Sequence, residues 1–179
     1  MKKLITAICL IVLVMLGIVN YPFVSWAAEQ KGESGYLNKA IQYTVKIRTR
    51  VKYPPMKDNK GSFTGAGFLI DSKRGWIVTN AHVSSRNPES LEIAFKDKSF
   101  IDAKLLFVDR YLDLAVLKIP PQTIPKKSKP AELNCDNWPK IGSEVGAYGH
   151  PLSLDFSVTT GIISGLRYRH NLYWIQTDA

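Results

Sequence analysis

Apolar and polar side chains alternate along much of the chain, in short stretches separated by Gly, Pro, Asn and Asp. The clearest stretch is 42–53, where apolar residues such as Val45 and Ile47 alternate with basic residues such as Lys46 and Arg48. A period of two is typical of a strand with one buried face and one solvated face. The pattern predicts an all-β fold with strands at 42–53, 65–70, 76–79, 90–95, 99–109, 114–119, 144–148, 157–166 and 172–176.

Helical spacing is scarce by comparison. A polar lead at 29–34 precedes one short predicted helix at 37–40. The longest interruption between predicted strands is the proline-rich connection at 120–130. Because prolines and lysines fill it and no strand pattern crosses it, we expect this connection to be the seam between two β units.

The first 27 residues have the composition of a secretory signal. Two lysines precede an unbroken apolar run at 4–19, and Ser25 and Ala27 place small residues where a signal peptidase reads them. Cleavage is expected before Ala28. An uncleaved membrane anchor is the alternative, because residues 21–26 could extend the apolar run toward the length that spans a bilayer. Either way, we expect the remainder to be exported to the periplasm or the extracellular space.

Charge and cysteine content narrow the class of protein further. The chain has 179 residues and a formal net charge of +9, which falls from +9 to +7 without the leader, whose only charges are two lysines. The basic residues alternate along a strand or lie in the proline-rich connection, and no recognised binding module accompanies them, so binding to nucleic acid is not expected. Cys135 is the only cysteine outside the leader, which excludes an internal disulfide and predicts a semi-buried free thiol.

The candidate chemistry lies with two residues that adjoin apolar strands. His82 follows the strand predicted at 76–79, and Asp113 comes 31 positions later, at the start of another apolar strand. Alone, His82 would be a turn residue and Asp113 a strand-edge carboxylate. Together they predict a nucleophilic hydrolase, in which histidine takes a proton from a serine and aspartate orients the imidazole. The three histidines, His82, His150 and His170, are too dispersed to indicate a metal site.

The ordered motifs of the chain resemble the HtrA/Deg family of bacterial trypsin-like serine proteases. The resemblance begins near Val45 and continues to the last residue. His150 stands where that family usually has asparagine in a turn. The motifs that carry the resemblance are GAGFLI at 65–70, VTNAHV at 78–83, DLAVLKI at 113–119, KIGSEV at 140–145, VTTGIIS at 158–164 and IQTDA at 175–179.

The resemblance implies a chymotrypsin/trypsin-like double β-barrel whose first barrel is complete and whose second is incomplete. It makes His82 the general base and Asp113 the acid that orients it. In the family a G-N-S-G-G stretch with the serine nucleophile follows I-Q-T-D-A, and no such stretch occurs here, so the serine is expected beyond the end of this chain. The segments expected are 1–27 (signal peptide or anchor), 28–41 (lead), 42–119 (first barrel), 120–139 (connection) and 140–179 (start of the second barrel).

The implied function is that of a serine endopeptidase that acts on unfolded or misfolded exported proteins. As given, the chain is expected to be inactive, because it lacks the nucleophile. No cofactor and no metal are implied, the partners expected are polypeptide substrates, and homo-oligomerisation of the full-length protein is left open. The alternative is a non-catalytic protein of the same fold that binds peptides in a chaperone-like manner.

Overall fold

A computed structural model describes residues 30–54, 59–150, 156–169 and 172–179. The leader predicted at 1–27 lies outside the described residues, and so does His170. Residues 34–179 form one compact unit, and residues 30–33 are the described part of a second unit at 1–33. In the described ranges, no helix is both long enough and apolar enough to cross a membrane.

Ten strands make up about half of the described residues and far exceed the helices, in agreement with the all-β prediction. One helix precedes them, a one-turn helix follows the third strand, and a 3-10 turn at Pro121–Thr123 follows the seventh. The elements are α1 (Gln30–Tyr43), β1 (Thr44–Val51), β2 (Gly61–Asp71), β3 (Trp76–Thr79), α2 (Ala81–Ser84), β4 (Ser90–Phe95), β5 (Ile101–Asp102), β6 (Lys104–Asp109), β7 (Leu114–Lys118), β8 (Glu144–Gly149), β9 (Ser157–Arg169) and β10 (Leu172–Thr177).

Strands β1 to β7 form a seven-stranded antiparallel sheet among the described residues, in the order β5-β4-β1-β2-β3-β7-β6. Strands β5 and β6 lie at opposite ends of this order, yet Ala103 is the single residue between them in the chain. The two ends of the sheet must therefore approach each other, which curls the sheet into a barrel. The sequence predicted one strand at 99–109; the structure divides it because the chain passes there from one end of the sheet to the other.

The barrel interior is filled by the apolar residues of the alternating pattern. In β1, Val45, Ile47 and Val51 are buried, whereas Arg48 between them is only partly buried. Full burial of one such aliphatic side chain contributes roughly 1.5–3 kcal/mol. The buried core cluster consists of Val45, Ile47, Leu69, Ile77, Val83, Leu91, Ile93, Phe95, Leu117 and Ile119.

The basic residues of β1 lie on the outer face of the barrel. Arg48 donates two hydrogen bonds to Glu92, its cross-strand partner in β4, at 2.9 and 3.1 Å. Its guanidinium also lies 4.1 Å from the centroid of the Phe100 ring. The outward orientation of the basic residues agrees with the sequence prediction, and one of them is engaged in an ion pair.

Strands β8, β9 and β10 form a separate three-stranded antiparallel sheet in the order β10-β9-β8. Several large apolar side chains on and beside this sheet are exposed, and Trp138 packs against Tyr173 with ring centroids 5.4 Å apart. This second sheet therefore has far less apolar burial than the first. The exposed side chains are Trp138, Ile141, Val158, Ile162, Tyr168, Tyr173, Trp174 and Ile175.

The helix at the start of the described chain is longer than predicted. The sequence predicted a helix at 37–40, and α1 extends over Gln30–Tyr43. Within its second half, Asn38 and Lys39 are exposed and Ala40 is buried. A helix this polar lacks the broad apolar stripe by which helices are detected in a sequence.

Candidate active site

His82 lies on the one-turn helix α2, which begins two residues after β3 ends. Thr49 of β1 holds this turn in place, because its buried hydroxyl donates a hydrogen bond of 2.7 Å to the carbonyl oxygen of Val83. Ser84, also buried, donates from its hydroxyl to the carbonyl oxygen of Ala81 at 3.3 Å. Buried contacts on both sides of His82 therefore hold the backbone that carries the imidazole.

Gly65 of β2 allows the helix α2 to lie close to the sheet. A Cβ atom at position 65 would lie 2.6 and 2.7 Å from the two methyl carbons of Val83, well inside normal contact distance. The glycine motif at 65–70 therefore has a steric explanation. Gly65 makes room for the residue that follows the histidine.

Asp113 is placed beside His82 by the register of β3 and β7. Thr79 pairs with Ala115 at the end of the two strands, and just beyond this pair the amide of Ala81 donates to the carbonyl oxygen of Asp113 at 3.1 Å. Asp113 has a positive φ of 50°, which is uncommon for a non-glycine residue but tolerated by aspartate. The chain thus makes a sharp bend before β7, and the carboxylate lies at that bend.

The two side chains predicted from the sequence are in direct contact. Nδ1 of His82 lies 2.7 Å from Oδ2 of Asp113, and the main-chain amide of His82 donates to Oδ1 at 3.0 Å. The side-chain amide of Asn80 donates to Oδ2 and to the carbonyl oxygen of Asp113, both at 3.2 Å. Both carboxylate oxygens therefore accept hydrogen bonds that hold the imidazole in one orientation.

The surroundings of Asp113 favour its ionised form. Burial raises the pKa of the carboxyl group, but the hydrogen bonds from the amide and ring of His82, the charge of His82 and the hydrogen bond from Asn80 outweigh it, so the pKa lies below its ordinary value. The carboxyl side chain is 36% exposed and the imidazole 71% exposed. Asp113 is thus less buried than its apolar sequence neighbours suggest, and its stabilisation comes mainly from hydrogen bonds.

A cleft of about 550 Å³ opens beside His82, between the barrel and the three-stranded sheet. One wall includes Gly65 and Asn80, and the opposite wall includes Tyr148 and Ser157. A volume in this range suits a bound organic group. The position of the cleft would allow a group held there to contact the imidazole.

The structure also places His150 and Cys135, two residues noted in the sequence. His150 is buried in the wall of this cleft, where Nδ1 accepts a hydrogen bond of 3.1 Å from the amide of Phe156. The residue that replaces the family's usual asparagine is thus a packed side chain, and the sequence carried no signal of its burial. Cys135 is exposed, so the predicted semi-buried thiol is wrong.

Other side chains that could act as nucleophiles or ligands have different surroundings. The hydroxyl of Ser84 is buried and bonded to main-chain carbonyls, and Ser85 is buried as well. Ser157 lines the cleft, at the start of β9. Within the described part of the chain, no three His, Cys, Asp or Glu side chains are grouped closely enough to hold a metal ion.

A curled seven-stranded antiparallel sheet followed by a second antiparallel sheet, with a His–Asp pair at the cleft between them, defines the class of trypsin-like proteins. A family described as "Trypsin-like peptidase domain" matches residues 65–179. The chain belongs to that family. Within it, the chain is a member of the HtrA/Deg serine proteases, as its relatives and structural neighbours show. The predicted family and fold class are thereby confirmed.

The similar proteins are serine proteases from several sources. The chain is 34% identical over 134 residues to the putative serine protease HhoB of Synechocystis, covering 70% of this chain and 31% of that protein. It is 41% identical over 118 residues to a protein of Pseudomonas savastanoi described as "Probable periplasmic serine endoprotease DegP-like". That match covers 64% of this chain and 23% of the Pseudomonas protein.

Two solved structures share the fold. A variant of the HtrA-type protease AlgW with a tripeptide has a TM-score of 0.66 and 26% identity, over 82% of this chain and 46% of that one. A serine endoprotease from Yersinia pestis has a TM-score of 0.57 and 30% identity, over 72% of this chain and 44% of that one. The chain thus spans less than half the length of each of these four proteins.

Proposed function

We propose that this chain carries the acid–base half of a serine endopeptidase active site. The observation that carries the proposal is the 2.7 Å contact between Nδ1 of His82 and Oδ2 of Asp113. Because Asp113 engages Nδ1, Nε2 is the imidazole nitrogen that would take a proton from a serine hydroxyl. The same nitrogen would return the proton to the leaving amine, while the carboxylate stabilises the imidazolium.

The nucleophile in this proposal lies outside residues 1–179. The sequence contains no Gly-x-Ser-Gly-Gly stretch, which in such enzymes supplies the serine and the amides of the oxyanion hole. Ser84 is buried and already bonded, and so it does not fit the role. We therefore expect the 179-residue chain to hydrolyse no casein and to remain unlabelled by a serine-directed fluorophosphonate probe.

The proposed substrates are polypeptides in an extended conformation. The cleft beside His82 is a groove between two sheets, and an extended segment of polypeptide would fit along it with a peptide bond beside the imidazole. We further propose that residues 1–27 direct export. The support is the leader composition, together with relatives that are described as periplasmic.

A chimera tests the proposed roles directly. Residues 1–179 would be joined, after Ala179, to the segment that follows the corresponding position in the Pseudomonas savastanoi relative. Casein hydrolysis by the chimera should fall about 10⁴-fold with Asp113→Asn, which removes the negative charge beside the imidazole and favours the wrong imidazole tautomer. His82→Ala should reduce it at least as much.

Asp109→Asn is the matched control for that experiment. It makes the same chemical change four residues earlier, where the carboxylate caps the turn at Tyr111 and Leu112. Its hydrolysis rate should stay within a few-fold of the unmodified chimera. Undiminished hydrolysis in folded His82→Ala would contradict the proposed roles, whereas peptide binding without any hydrolysis would favour the non-catalytic alternative.

A further inference from the structure

A second cavity lies on the barrel at a different place from the cleft beside His82. It opens between the turn that joins β4 to β5 and the loop that follows the 3-10 turn, and its volume is about 840 Å³. No residue that lines it also lines the cleft. A cavity of this size falls in the range of pockets that enclose small organic ligands.

The floor of this cavity is apolar and continuous with the barrel core. Phe95 is 4% exposed and belongs to the buried cluster, and Ile101 and Ile124 pack against that cluster. Pro125 and Ile41 add further apolar surface. Water held against such a floor gains few hydrogen bonds, so an apolar ligand group would be favoured there.

The rim of the cavity is basic. Lys98, Lys126 and Lys127 line it with exposed side chains, and Asp97 is the acidic residue among the lining residues. Lys96 also lines it, but its ammonium lies 5.8 Å from the centroid of the Phe156 ring. The opening therefore carries a net positive charge beside an apolar floor.

We propose that this cavity binds a single-chain amphipathic anion of the fatty-acid type. The apolar chain would lie over the floor, and the carboxylate would pair with the lysines of the rim. An inorganic anion would leave the floor exposed to water, and a neutral apolar molecule would leave the lysines unused. A ligand with both parts matches the whole lining.

Titration of the 179-residue chain with octanoate, decanoate and dodecanoate, each below its micelle concentration, tests the apolar part. Affinity should rise about fourfold per added methylene while the chain still fits. Dodecanol should bind more weakly than dodecanoate. Equal affinity for octanoate and dodecanoate would show that the floor is not used and would overturn the proposal.

A pair of double variants tests the basic rim. Lys126→Gln with Lys127→Gln should weaken dodecanoate binding at least tenfold and leave dodecanol unaffected. Lys73→Gln with Lys129→Gln removes the same charge from exposed positions outside the lining, and should change dodecanoate affinity less than twofold. Equal losses in the two double variants would mean that net charge alone acts, which contradicts a built site.

Filling the cavity gives an independent test. Gln122 is exposed and lines the cavity, so Gln122→Trp should place an indole in the ligand volume without disturbing the core. Dodecanoate affinity should fall at least tenfold, whereas Gln122→Ala should retain it, and both variants should unfold at the temperature of the unmodified chain. If Gln122→Trp binds dodecanoate as well as Gln122→Ala, or if only vesicles of anionic phospholipid bind, the proposal is wrong.

Discussion

Replacement of Gly65 by alanine tests how the imidazole is held in place. The added Cβ would lie 2.6 and 2.7 Å from the methyl carbons of Val83, and 3.3 Å from its Cβ. Normal carbon contacts are about 3.5–4.0 Å, so the two residues must separate by about 1 Å. Val83 cannot yield easily, because its side chain is β-branched and Thr49 binds its carbonyl oxygen at 2.7 Å.

The expected cost follows from overpacking. Inserting a methyl group into a packed site costs about 1–3 kcal/mol, and the loss of glycine flexibility in the unfolded chain returns about 0.4–1 kcal/mol. At the midpoints of these two ranges, the free energy of unfolding should fall by about 1.3 kcal/mol in Gly65→Ala. For a domain of this size that corresponds to a decrease of about 3–5 °C in the melting temperature.

Thermal and urea unfolding followed by circular dichroism would measure this change. Gly35→Ala is the matched control, because a Cβ there meets nothing within 4 Å and improves a helix. Adding Val83→Ala removes both clashing methyl carbons, so the double variant should be at least 1 kcal/mol more stable than the sum of the single effects. If Gly65→Ala unfolds at the temperature of the unmodified chain, the close approach is not what fixes the turn.

Two further substitutions test the neighbouring contacts. The pKa of Asp113 is lowered in the folded state, so ionised Asp113 should contribute fully to stability well above its ordinary pKa of 3.8. This contribution should be lost as the pH falls below 3.8. Asp113→Asn should remove that part of the acid dependence in urea unfolding measured at several pH values. A variant as acid-sensitive as the original would mean that the contact with His82 does not stabilise the fold. Thr49→Val leaves the buried carbonyl of Val83 without its donor and should lower the free energy of unfolding by about 1–3 kcal/mol. Thr64→Val, at an exposed position in β2, should change the free energy of unfolding by less than about 0.5 kcal/mol in the same assay. Equal effects of the two threonine substitutions would contradict the importance of that hydrogen bond.

The strands could be predicted because their pattern is local. A short apolar run at 76–79 and alternation at 90–95 identified β3 and β4 with the bounds that the structure shows. The division of 99–109 could not be predicted, because it depends on where the two ends of the sheet meet. Only residues 37–40 of the long helix α1 were predicted, because the sequence of Gln30–Tyr43 is mostly polar and contains two glycines.

The candidate pair illustrates the same limit. His82 and Asp113 could be selected from their apolar neighbours and their order, but their contact depends on the pairing of Thr79 with Ala115, a register that no local pattern encodes. The close approach of Gly65 to Val83 is likewise a packing contact between segments that are far apart in the sequence. The burial of His150 and the cleft beside it required the relative placement of two sheets.

The pairing of β3 with β7 also has a consequence for the order of events during folding. The β2–β3 hairpin closes a short loop, whereas β3 and β7 are separated by the whole segment 80–113, so their pairing closes a long loop and is expected to form later. Until that step, the carboxylate of Asp113 and the ring of His82 are far apart. A nascent or misfolded chain would therefore lack an oriented imidazole until these two strands have paired, so the geometry of the His82–Asp113 pair depends on completion of the long-range part of the sheet.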